Sequence, residues 1–304
     1  MAGRQLNILI IGGSGFVSGA VARTAVAYGH RVWIVTRGEK PLPEGVQAIT
    51  CDRKDRQAFA AAIAERGIEW DFAVDCIGYE ADDARQDVEV LAPRVAHLVF
   101  ISTDFVFDPP KRCFPQPFDN PFFLTDDSYG ANKRRCEEVL LGAEVGGMLW
   151  TVFRPCHIYG PGSELGCLPL HARDRDLITR MRAGEPLKLI GGGSFLQQPI
   201  FVRDLADLIL SARGNELANR GIYCSVGPDI VESRKYYEII ADVLGVPVSF
   251  EEVPVSEGLA DEAISNSFLC HRIYDLSPLR LAGLKVPNTP IAAGLEEHVR
   301  SKLT

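Results

Sequence analysis

No two of the eight cysteines in this 304-residue sequence form a CxxC pair; they are scattered at 51, 76, 113, 136, 156, 167, 224 and 270. Such spacing supports neither a metal site nor a disulfide framework, and it reads as reduced, mostly buried thiols. No stretch approaches the ~18–20 consecutive apolar residues of a membrane span. The apolar run near the N-terminus is too short for a signal segment and runs straight into glycines, so a cytoplasmic location is expected. An excess of positive charge is missing too. The formal net charge is −8, which argues against a uniformly basic nucleic-acid face. There is no internal repeat and no low-complexity segment. What remains is an ordinary globular composition, 46% hydrophobic and 24% charged. The length suits one large α/β domain or two unequal lobes.

An apolar run over residues 6–11 predicts a strand buried on both faces. Residues 16–28 fit a close-packed helix, 31–36 a second strand and 46–51 a third. Asp55 is placed to cap an alanine-rich helix that runs to about residue 65. Strands at 72–76 and 95–102 flank a polar helix at 81–91. This alternation predicts a doubly wound parallel α/β sheet with right-handed crossovers. The proline-rich stretch 104–125 reads as a long loop near a substrate. A helix at 126–141 and a strand at 149–154 follow. Beyond Pro161 the elements shorten, with helices expected at 204–212, where Asp204 serves as cap, and at 233–244.

Gly12-Gly13-Ser14-Gly15-Phe16-Val17-Ser18-Gly19 joins the first strand to the first helix. Glycines there permit a tight turn and a close approach of backbone to a pyrophosphate at the helix N-terminus. An unoccupied turn is the plainer alternative. At the end of the second strand no acid occupies positions 35–38, where an NAD site commonly places one for the ribose 2′-hydroxyl. Arg37 instead offers a guanidinium to a 2′-phosphate, and Arg53, after Asp52, is a second candidate. NADP is therefore favoured over NAD, against the reading of both arginines as solvated loop charges.

Tyr129 and Lys133 stand four apart, on one face of a helix, where a cation lowers a phenol pKa. Ser102 and Thr103, ending the preceding strand, each offer a hydroxyl to a reacting oxygen.

With these residues in view, the sequence resembles the extended short-chain dehydrogenase/reductase family, whose members include nucleotide-sugar epimerases, dehydratases and 4-keto reductases. GGSGFVSG is similar to its glycine loop, STDFVF to its fifth-strand motif, YGANK to YxxxK, and the segment Arg154 to Gly162 to RPxxVYGPG. The resemblance implies a Rossmann domain over residues 1–160 and a mainly substrate-binding lobe over 161–304, partly interleaved with the sheet. It implies that Tyr129 exchanges a proton with substrate oxygen, that Lys133 holds the nicotinamide ribose and depresses the Tyr129 pKa, and that Thr103 orients the oxygen. The dinucleotide would be lined by Gly12, Ser14, Gly15, Phe16 and Val17, by Cys76, Ile77 and Gly78, by Ser102, Tyr129 and Lys133, and by Pro155, His157 and Ile158. Arg37, Asp52 and Arg53 would reach its adenine ribose. Asp104, Phe105, His157 and Gln197 would face substrate, with His157 read as a wall of the site. A homodimer is expected on the same ground.

Four departures narrow the expectation. Ser18 replaces the third glycine of the loop. Phe105 stands where dehydratases carry a glutamate, which disfavours sugar dehydration. Ser-Thr-Asp-aromatic-Val-Phe is shared with the keto-sugar reductases. Gln197 replaces an arginine that contacts the diphosphate in many nucleotide-sugar members. A keto-sugar reductase using NADP or NAD is favoured over an epimerase that retains its cofactor. A cofactor-sensing or RNA-associated protein is the non-enzymatic alternative. Tyr236 and Tyr237 are expected to pack, and Arg134 and Arg135 to form a solvated helix face.

Overall fold

The computed structural model describes residues 4–303. Strand β1 (Asn7–Ile11) leads into helix α1 (Phe16–Ala27), then β2 (Arg31–Thr36), β3 (Val46–Thr50), α2 (Arg56–Ala64), β4 (Phe72–Asp75), α3 (Ala81–Leu91) and β5 (His97–Ile101). After the long loop come α4 (Tyr129–Gly142) and β6 (Leu149–Pro155). The C-terminal part holds β7 (Ile158–Tyr159), α5 (Leu177–Arg182), β8 (Leu187–Ile190), β9 (Leu196–Gln197), β10 (Ile200–Phe201) and α6 (Val202–Ser211). It continues through β11 (Gly221–Ser225), β12 (Val231–Glu232), α7 (Ser233–Leu244), β13 (Phe250–Val253), α8 (Val255–Ala260), α9 (Ser277–Leu281) and α10 (Ile291–Leu303).

Seven strands form one sheet in the order β11-β6-β5-β4-β1-β2-β3, and every pairing in it is parallel. Strand β1 explains the unbroken apolar run. Ile8 and Ile10 pack on α1 and α6 on one face, while Leu9 and Ile11 meet Trp33, Phe59 and Leu140 on the other. Such double burial is the mark of a parallel sheet covered on both sides. The seventh strand, β11, comes from beyond residue 161 and pairs with β6 in register Ile222 to Val152. A separate core of Leu177, Met181, Leu189, Tyr236, Tyr237 and Leu295 holds the C-terminal lobe together. No helix among the described residues is long and apolar enough to cross a membrane.

Two local expectations change. Asp204 lies inside the first turn of α6 and does not cap it; its carboxylate accepts from Asn288 N at 2.9 Å and Thr289 N at 2.7 Å, tying the C-terminal segment to the helix. Arg134 is only partly solvated. Its guanidinium lies 4.0 Å from the Phe123 ring centroid and bonds Glu137 at 3.1 Å.

Candidate active site

The carboxyl ends of β1, β4, β5 and β6 open into one cleft of about 490 Å³. Its position follows from topology, because the crossovers on either side of β1 leave on opposite faces and part the loops.

Helix α4 begins later than its sequence suggests. Asp126 Oδ1 accepts from Ser128 N at 3.1 Å, so the acidic residues form a turn before the helix. Ser128 is the N-cap, accepting from Ala131 N at 3.4 Å, and Tyr129 becomes the first helical residue. Gly130 lets the helix approach β5. A Cβ there would stand 2.0 Å from the carbonyl oxygen of Phe105. Thr103 caps the short turn Asp104–Val106, accepting from Phe105 N at 3.2 Å. The close approach brings Thr103 beside the Tyr129 phenol, whose pKa it pulls down, and both side chains line the cleft.

Lys133 is buried and tied to backbone on two sides. It is 1% exposed, and its Nζ donates to the carbonyl oxygens of Gly78 and Ile101 at 2.6 Å each. The ammonium also lies 4.8 Å from the Phe100 ring centroid and 5.1 Å from that of Tyr79. Burial pushes the Lys133 pKa down, with Asp75 the main opposing influence. The Tyr129 pKa is pushed up to about 12, first by burial and then by Tyr79 and Asp104, against the pull of Thr103 and Arg173. With its pKa raised in this way the phenol is protonated near neutral pH.

At the other end, Gly12 (φ 92°) could not be replaced without strain, and a Cβ on it would meet Ile77 at 2.5 Å. Ser18 does more than stand in for a glycine. Its hydroxyl accepts from Gly15 N at 3.0 Å and donates to the Gly12 carbonyl, bracing the loop from inside. Gly15 caps α1 without a side chain, leaving the helix N-terminus bare toward the cleft. Backbone that close and a free helix N-terminus fit a dinucleotide pyrophosphate. Gly12, Gly15, Phe16, Val17, Cys76, Ile77, Pro155, His157 and Ile158 all line the cleft, whereas Ser14 and Gly78 are not on its wall.

Arg53 has another role than the one its sequence position suggests. It is 4% exposed, with Nη1 2.5 Å from Asp75 and Nη2 2.9 Å from the Asp83 carbonyl and 3.0 Å from Asp87. Asp75 in turn accepts from Ile77 N at 2.7 Å and Gly78 N at 2.9 Å. The arginine thus fixes the loop after β4 and has no reach toward a ribose. Asp52 is exposed and caps its own turn, accepting from Lys54 N at 2.9 Å. Arg37 is exposed at the end of β2 and meets Glu39 at 2.8 Å.

The two hydroxyls after β5 are separated in use. Ser102 Oγ is buried and donates to Glu137 at 2.6 Å, and Glu137 is held by Arg154 at 2.6 and 2.8 Å. Asp104, expected to face substrate, is 1% exposed and engaged by Arg272 at 2.8 Å and the Tyr274 hydroxyl at 2.6 Å. Gln197 is fully buried off the cleft, its amide unpartnered, while Phe105 does line it. His157 forms wall as expected, and burial pushes its pKa down to about 3, so the ring is neutral.

Sequence reasoning missed Tyr79, Arg173, Phe268 and Arg272, all on the cleft wall. Tyr79 was within reach, being the residue after Cys76-Ile77-Gly78. The other three come from segments with no regular period. Among the described residues, the lining contains Lys133, Arg173 and Arg272 but no aspartate or glutamate.

A parallel seven-stranded sheet with a glycine turn, a β5 hydroxyl and a Tyr-Lys helix around one cleft defines the extended short-chain dehydrogenase type of NAD-dependent enzyme. The model of the NAD dependent epimerase/dehydratase family matches residues 8–223, and the chain belongs to that family. It is 27% identical over 240 residues to chloroplast stem-loop binding protein of 41 kDa b from Arabidopsis thaliana, covering 73% of this chain but 59% of the plant protein. It is 26% identical over 287 residues to 2′-dehydrokanamycin reductase from Streptomyces kanamyceticus, covering 91% of this chain and 79% of that one. The fold matches UDP-glucose 4-epimerase from Thermotoga maritima with a TM-score of 0.78 and 18% identity, covering 98% and 99% of the two chains.

Proposed function

We propose that the chain is a carbonyl reductase acting on a sugar-like substrate, with NADP(H) preferred. The observation that carries this is the lining of the cleft, which has a protonated phenol and a hydroxyl but, among the described residues, no carboxylate. Dehydration by this type of site needs an acid pair beside the sugar, whereas reduction needs a proton donor at the carbonyl oxygen. Tyr129 serves as that donor and Thr103 fixes the oxygen by a second hydrogen bond. Lys133, anchored to Gly78 and Ile101, keeps one of its three N–H groups for the nicotinamide ribose. Bound there, the nicotinamide supplies the hydride in reduction.

Gly12, Gly15, Phe16 and Val17 would hold the pyrophosphate, Cys76 and Ile77 would flank the adenosine side, and Pro155, His157 and Ile158 the nicotinamide. Arg37, solvent-facing with a single acidic partner, supports the 2′-phosphate preference. The reductase from Streptomyces supports the reaction direction. The second reading is an epimerase with retained cofactor, favoured by the Thermotoga fold match.

NADPH and NADH oxidation measured over a panel of keto-sugars tests the proposal. Turnover with at least one carbonyl, lost in Tyr129→Phe, is expected. Tightly copurified oxidised cofactor with no net oxidation of added NADPH would favour the epimerase and overturn the reductase.

A further inference from the structure

The substrate end of the cleft carries more positive charge than its own acids balance. Asp104 faces two guanidiniums, Arg272 at 2.8 Å and Arg112 at 3.8 Å, and all three residues are buried. Cys156, Cys270 and Tyr274, packed against the same cluster, are kept protonated by burial. Two cations against one carboxylate leave one positive charge uncompensated.

That charge has an outlet into the cleft. Arg272 lines it, spends Nε and Nη2 on Asp104, and leaves Nη1 without a partner although the residue is 1% exposed. A buried charged donor without an acceptor is costly, so such groups are found paired. His157 Nε2, on the same wall, is also buried and unpartnered. Arg173 is exposed beside them, held at φ 55°. The glycine loop follows β1, whereas Arg272 is tied to Asp104 just after β5, with β4 between the two strands, so a pyrophosphate seated on the loop would leave this pair of arginines free.

We propose that Arg272 Nη1, Arg173 and His157 form an oxyanion subsite, taking a carboxylate or phosphate group of the substrate, with Asp104 as the positioning residue that aims Arg272. Asp104 engages one edge of the guanidinium, through Nε and Nη2, and leaves Nη1 unspent on a residue that lines the cleft. The inference names the substrate class of the proposed reductase and rests on that reading only for the cleft being the substrate's.

The test uses protein saturated with NADP⁺, so that the pyrophosphate site is filled, and reads thermal unfolding against inorganic phosphate. Phosphate should stabilise the wild type beyond chloride at matched ionic strength. Arg173→Ala, at an exposed position, and Arg272→Lys, which keeps a cation beside Asp104 but lacks the free Nη1, should each raise the half-saturating phosphate concentration about tenfold or more. Equal stabilisation by phosphate and chloride, or an unchanged phosphate response in Arg173→Ala, overturns the subsite. Glucuronate and UDP-glucose, titrated the same way, assign the group to a carboxylate or a diphosphate by which one loses more in Arg173→Ala. Phosphate binding of this kind in a protein that reduces no carbonyl would remove the reductase reading and leave the subsite standing.

Discussion

Lys133 donates to the Gly78 carbonyl oxygen at 2.6 Å, joining the helix of the Tyr-Lys pair to the loop after β4. Its second bond, to Ile101, reaches the end of β5, so one ammonium binds three parts of the cleft wall. The lysine is as much a part of the scaffold as of the chemistry. Lys133→Met should leave two buried carbonyls unpartnered, costing about 2–4 kcal/mol. Chemical denaturation checks this; an unchanged midpoint would show that the carbonyls find other donors.

Tyr129 and Thr103 should separate cleanly from cofactor binding. Tyr129→Phe is expected to lower turnover by about 10²–10⁴-fold, and Thr103→Ala to lower it less. Dinucleotide affinity, read by fluorescence quenching, should stay nearly constant in both. A parallel loss of affinity would mean that these side chains mainly shape the cofactor pocket.

Gly130→Ala tests the contact between α4 and the Thr103 turn. The added methyl falls on the Phe105 carbonyl, so helix and turn must part. A displacement on the order of 1 Å at the reacting groups costs roughly 10²-fold in rate. Turnover should fall by about that factor while the protein stays folded by circular dichroism. Full activity would show that the contact is dispensable.

The two arginines near the adenine end should behave differently. Arg37→Ala should weaken NADPH binding far more than NADH binding and leave stability alone; equal losses would sink the preference. Arg53→Met removes the partner of buried Asp75 and should destabilise by about 3–5 kcal/mol, with no discrimination between the two cofactors.

His97 makes a pH prediction. It is fully buried, accepts from Gly214 N at 3.1 Å and shares a hydrogen bond with Thr151 at 2.9 Å. Burial pushes its pKa down to about 4 from 6.5. The unfolded chain therefore takes up the proton first. Its contribution is complete above pH 6.5 and is lost as the pH falls toward 4, up to about 3 kcal/mol. His97→Asn should flatten the fall in unfolding temperature over that window, and an unchanged slope would assign the acid sensitivity elsewhere.

The sheet was readable because its central strands are buried on both faces and the turn after β1 carries glycine. Residues 81–91 and 233–244 came out as helices with the expected bounds. Helix α4 did not, since Asp126-Asp127-Ser128 has the composition of a first helical turn and only the side-chain bonds show it to be a cap. Tyr129 and Lys133, which line the cleft, stood out by their spacing, whereas Thr103 was separated from Ser102 only by the family resemblance. Asp104 and Arg53 were misread because their partners lie on other elements, Arg272 for one and Asp75 and Asp87 for the other. No local pattern reports a long-range ion pair. Arg272 itself had no signal at all, being an isolated arginine in an irregular stretch.

The tie between Asp104 and Arg272 spans 168 residues, and Thr103 stands immediately before it. During synthesis the glycine loop, Tyr129 and Lys133 all emerge well before Arg272 does. The turn beside Thr103 lacks this one of its anchors until all but α9 and α10 have been translated. A chain ending before Arg272 would keep the glycine loop, Tyr129 and Lys133 but lack the long-range tie on the turn beside Thr103.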